Sequence, residues 1–67
     1  MERWHTLESR EVNAPEIDAF LAEIEAVCRK HGLSISHEDG HGGFLIEKFD
    51  EETMQWLHAA SDGRTKG

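Results

Sequence analysis

The chain has 67 residues, fourteen Asp and Glu against seven Lys and Arg, a net charge of −7 and a single cysteine. That length allows one domain, residues 1–67, with one small core and little room for a deep catalytic cleft. The charge argues against direct contact with nucleic acid or anionic membranes, Cys28 has no partner for an internal disulfide, and no run of about 18 apolar residues is present to span a membrane.

The acidity is concentrated. From Glu11 to Glu52 eleven carboxylates face three cations, Arg29, Lys30 and Lys48. The segments on either side are close to neutral. The charge therefore belongs to the folded body, which should repel nucleic acid and attract basic proteins. The start, Met1 to His5, lacks the apolar stretch of a secretory signal. With the single thiol, this predicts a cytoplasmic protein.

Thr6 to Val12 reads either as a strand or as a lead-in, and residues 1–5 and 64–67 read as flexible ends. Asn13 to Gly32 predicts a long helix. Asn13 and Glu16 have capping-box spacing, Pro15 suits the first turn, and Val12 and Ile17 flank the cap as a staple would. Ile17, Phe20, Leu21, Ile24, Val27 and Cys28 form one apolar stripe at helical spacing. Arg29, Lys30 and His31 suit the last turn, and Gly32 ends it.

Leu33 to His37 alternates as a half-buried strand does, and Phe44 to Phe49 predicts a second strand. Asp39-Gly40 is a two-residue hairpin signal. It would set Ile35 opposite Phe44 and Leu33 opposite Ile46, with Glu38 and Asp39 raised at an exposed tip. Asp50 predicts the cap of a second helix, with Glu51 and Glu52 in its first turn. Thr53, Trp56, Leu57 and Ala60 are its expected inner stripe, flanked by Met54, and Gly63 is its expected stop. The predicted architecture is α+β: a long helix packed on a small antiparallel sheet built around a hairpin, closed by a short second helix.

His37-Glu38-Asp39-Gly40-His41 matches the H-E-x-x-H signature of zinc hydrolases. That chemistry requires a helix, which brings residues four apart to one metal. Gly40, Gly42 and Gly43 disfavour a helix, and the predicted hairpin sends His37 and His41 to opposite faces. Cys28 and His31 lie three apart, but the C-terminal end of a helix disfavours a thiolate. No catalytic, cofactor or metal residue is therefore assigned. A small metal-binding or regulatory module centred on His37 and His41 remains the alternative. An oligomer using the strand face that bears Leu45 is a third.

The leading reading uses the carboxylates. Asp18 and Glu25 on the long helix, Glu38 and Asp39 at the hairpin, Glu47 on the second strand, and Asp50, Glu51 and Glu52 at the second helix could imitate a phosphate backbone. Duplex DNA carries about one charge per 1.7 Å of axis. "NAPEIDAFLAEIEAVCRKHGLSISHEDGHGGFLIEKFD" followed by "MQWLHAA" resembles small phage- and prophage-encoded proteins that lack an assigned activity. The likeness covers about Val12 to Ala60, and "SHEDGHGGFLI" is its most distinctive part. In size and acidity the chain is also similar in kind to anti-CRISPR proteins, several of which mimic DNA. These resemblances imply a non-enzymatic inhibitor, a monomer or small homo-oligomer, in the cytoplasm of a bacterial host. Its expected partner is a basic nucleic-acid-binding surface, such as that of a CRISPR effector.

Overall fold

The computed structural model describes residues 1–64 and has an α+β fold of six elements. In chain order these are β1 (Glu2–His5), β2 (Arg10–Asn13), α1 (Pro15–His31), β3 (Leu33–His37), β4 (Phe44–Lys48) and α2 (Glu51–Ala60). They make two separate two-stranded antiparallel sheets, β1–β2 and β3–β4. The single sheet expected from the sequence is thus replaced by two hairpins. Among the described residues no helix is long and apolar enough to cross a membrane.

The N-terminal segment differs most from expectation. Residues 1–5 supply β1, and Arg3, Trp4 and His5 face Val12, Glu11 and Arg10 of β2. Between the strands, Ser9 N–H donates to the His5 carbonyl at 2.8 Å, and Ser9 takes a positive φ of 53°. Polar bonds tie this hairpin to the body. The Arg3 side chain reaches α1 and the end of α2, and Gly63 N–H donates to the Trp4 carbonyl at 2.7 Å. A Cβ on Gly63 would stand 2.5 Å from Val12 Cγ2, so Gly63 marks a close approach of the chain to the hairpin. It is not the helix stop: α2 ends at Ala60, and its cap residue is Ser61 in extended conformation. The expected flexible end, 64–67, lies outside the described residues beyond Arg64.

Helix α1 forms as its periodicity predicts, but Asn13 does not cap it. Asn13 closes β2 opposite Glu2, and the buried Ala14 is the cap residue, without a side-chain bond. Its carbonyl accepts from Ile17 and Asp18 N–H groups at 3.0 and 3.1 Å. Pro15 takes the first helical position, where its missing N–H costs nothing. Gly32 ends the helix in the left-handed region, at φ 69°, which other residues enter at a cost.

The second hairpin is offset by two residues from the predicted register. Ile35 faces Ile46, Leu33 faces Lys48 and His37 faces Phe44. Neither Asp39 nor Gly40 has a positive φ, whereas a type I′ turn needs one at both central positions. The connection is instead a six-residue loop over 38–43. Glu38 N–H donates to the Gly43 carbonyl at 2.9 Å, and Gly42 takes the left-handed conformation at φ 71°. A shift of two keeps every side chain on its own face, so apolar patterning cannot tell these registers apart.

Asp50 caps α2 as expected, accepting from Glu52 and Thr53 N–H groups at 2.8 and 3.1 Å. The helix is rotated from its predicted setting. Met54 is buried and Trp56 is 43 % exposed, so the inner face keeps Thr53 and Leu57 but runs through Met54, His58 and Ser61 in place of Trp56 and Ala60. The apolar core is small: Ala14, Leu21, Cys28 and Met54.

Candidate protein-docking surface

The eight carboxylates singled out in the sequence do not form one row. Three are held by cations. Asp18 Oδ1 accepts from Arg3 Nε and Nη2 at 3.0 and 2.7 Å, and Asp18 Oδ2 lies 2.9 Å from the Met1 amino group. Glu25 meets Arg29 at 2.9 Å and His58 Nε2 at 2.8 Å. Glu51 takes a two-pronged bond from Arg29, at 2.9 and 3.0 Å. Arg29 also stands 4.7 Å above the centre of the Phe49 ring. One guanidinium thereby joins α1, the start of α2 and the segment between β4 and α2. The bidentate geometry suits Arg and not Lys.

Two more carboxylates serve the backbone. Asp50 is the α2 cap. Glu38 folds back over its loop, its Oε1 accepting from Gly40 N–H at 2.6 Å and its Oε2 from His41 N–H at 2.7 Å. Glu38 is thus not the free tip charge the predicted turn required. Asp39, Glu47 and Glu52 remain outward. Asp39 is 98 % exposed in its side chain, 2.9 Å from His37 Nδ1. Glu47 and Glu52 are exposed and have no ion pair among the described residues. Asp39 lies at the loop end of the second hairpin and Glu47 near its other end. The four steps of β4 alone span roughly 13 Å.

Three carboxylates, Asp18, Glu25 and Asp62, are held ionised. The Met1 amino group and the Arg3 guanidinium keep Asp18 below the usual carboxylate range. Arg29 and His58 do so for Glu25, and the Thr6 hydroxyl and nearby backbone do so for Asp62. A carboxyl with a lowered folded pKa adds stability that is complete above its unfolded value and is lost as the pH falls through the folded one. The expected result is a thermal midpoint that falls as the pH is taken below about 4. Circular dichroism melts at stepped pH check this; a midpoint that holds or rises on acidification would contradict it.

The H-E-x-x-H residues are not on a helix. His37 ends β3, its ring edge-on to Phe44 at 6.0 Å, while His41 lies in the loop and is paired with Glu38 at 3.4 Å. Among the described residues no group of three or more His, Cys, Asp or Glu is arranged to hold a metal ion. Cys28 is buried on α1, at the floor of a groove it shares with Val27, His31, Leu33, Ile35 and Ile46.

The sequence pointed to an exposed strand face bearing Leu45, but more apolar surface than that stays outside. Phe20 and Val27, placed in the inner stripe of α1, are 61 % and 54 % exposed. Phe44, Ile46 and Leu45 are 73 %, 59 % and 40 % exposed, and every residue of β4 is exposed. Beside β4 lies an open groove of about 210 Å³, lined by Val27, Cys28, His31, Leu33, Ile35 and Ile46. Both helices pack on β3, and the main neighbour of β4 is β3 alone. The available signal was the ratio of apolar side chains to helical cover: one long helix cannot shield both faces of a hairpin.

No protein-family model, no curated protein and no solved structure matches the chain.

Proposed function

We propose that the chain is a non-enzymatic inhibitor of phage or prophage origin. It acts in the bacterial cytoplasm by occupying the basic nucleic-acid-binding surface of a host complex, such as a CRISPR effector. One observation carries the reading. Arg3, Arg10, Arg29 and Arg64 all pair with carboxylates of the same chain, which leaves Lys30 and Lys48 as the cations without an ion pair among the described residues. Outward charge is therefore dominated by unopposed carboxylates, and an acidic surface of this kind steers association with a basic groove. Asp39, Glu47 and Glu52 are the contacts of choice. Asp18, Glu25 and Glu51 are held by internal cations, and Glu38 and Asp50 by backbone N–H groups.

The test is competition between this protein and duplex DNA for a purified CRISPR effector complex, at low and at raised salt. Reversing Asp39, Glu47 and Glu52 to Lys together is expected to slow association roughly tenfold or more at low salt, and raised salt should weaken the wild type. Binding that is indifferent to both changes would remove the mimic reading, as would no competition at all.

A further inference from the structure

We infer that the outer edge of β4 and the apolar face beside it are the interface of a two-fold homodimer. Strand β4 pairs on one side only, so its outer edge offers unpaired backbone N–H and C=O groups. Two-stranded sheets are marginal alone, and a second β4 would join the two hairpins into one four-stranded antiparallel sheet.

Size points the same way. Chains below about 70 to 80 residues commonly need a disulfide, a metal or oligomerisation to supplement the core. Here Cys28 is the single cysteine, and the described residues hold no metal-ligand cluster. The accessible surface is 5008 Å² for a mass of 7.6 kDa. The scaling of surface with mass gives about 4,300 Å² for a compact monomer. The chain thus exposes about 700 Å² more than that, and the exposed apolar side chains of β4 contribute to the excess.

Self-pairing also has a chemically preferred register. A two-fold axis perpendicular to the sheet requires like faces to meet. With the axis at Leu45, that residue meets Leu45 of the partner subunit. Phe44 then meets Ile46 of the partner subunit, beside the groove, and Glu47 meets Gly43 of the partner subunit. An axis at Glu47 would set two carboxylates opposite each other, which is unfavourable. The axis at Leu45 covers the two most exposed apolar side chains of the strand, Phe44 and Ile46. Each copy carries −7, so added salt screens the repulsion and strengthens the dimer. It should have the opposite effect on docking to a basic groove.

Sedimentation equilibrium of the full chain over a wide concentration range tests this. The expected result is a monomer–dimer equilibrium that tightens with sodium chloride. Ile46→Lys should weaken it by at least roughly tenfold while leaving the far-ultraviolet dichroism of the monomer unchanged. Phe44→Ser, at the most exposed position of β4, provides a second variant should Ile46→Lys fold poorly. A wild type that stays monomeric throughout overturns the inference. A dimer that neither substitution weakens, or that salt dissociates, overturns it as well.

Discussion

Arg3→Ala is expected to cost about 3 kcal/mol and to release the N-terminal hairpin. That figure is the lower end of the penalty for breaking a buried ion pair, since the partner left behind, Asp18, is partly exposed and can be solvated. The Arg3 side chain has no exposed surface. Its guanidinium serves three groups on two helices at once: Asp18 on α1, the carbonyl of His58 on α2, and the carbonyl of its cap residue Ser61 at 3.4 Å. The hairpin has few other attachments. Gly63 reaches Trp4, and Asp62 accepts from the Thr6 N–H at 3.2 Å and from its hydroxyl. A stability of about 3–10 kcal/mol is typical for this length, so the loss would be a large share. Urea denaturation and amide hydrogen exchange read the two effects separately. The midpoint should fall, and the β1 and β2 amides should lose protection before those of α1. Arg3→Met keeps much of the volume and loses the directional bonds. An Arg3→Met protein as stable as wild type would show that packing, and not the guanidinium, holds the hairpin.

Met54→Ala should be of similar size, about 2–5 kcal/mol, the usual cost of truncating a fully buried Met. Met54 is 2 % exposed and is the largest apolar side chain among those that are fully buried. The contrast with Trp56→Ala is diagnostic. By size and hydrophobicity Trp56 would be the anchor of α2, yet it is 43 % exposed. The Met54 substitution should therefore cost more than the Trp56 substitution in matched denaturant titrations. The reverse order would return Trp56 to the inner face beside Thr53 and Leu57 and contradict the observed rotation of the helix. Any dimer-linked share of either loss is separated by repeating the titrations at several protein concentrations.

Local signals carried through where a single element settles its own geometry. Helix α1 follows from its spacing, from Pro15 and from Gly32, and the α2 start follows from Asp50. The two β3 and β4 strands follow from alternation. The failures share a cause: each involves a choice between locally equivalent options. Asn13 can cap a helix or close a strand, and pairing with Glu2 decides. Asp39-Gly40 can make a tight turn, but Glu38 binds the loop N–H groups and the register moves by two. Arg3 reads as an ordinary surface cation until Asp18, fifteen residues on, is folded beside it. Of the candidate contact residues, the sequence located all eight carboxylates but could not separate the engaged ones from Asp39, Glu47 and Glu52.

By itself, then, the sequence determined the class of fold, the acidic character and the positions of α1, β3, β4 and α2, because propensity, capping and periodicity act over a few residues; the N-terminal hairpin needed distant partners. Tertiary structure alone decided which charges are free and which apolar faces stay open. Those properties depend on partners distant in the chain: Arg29 drawing Glu25 and Glu51 together, and two helices covering β3 while β4 is left bare.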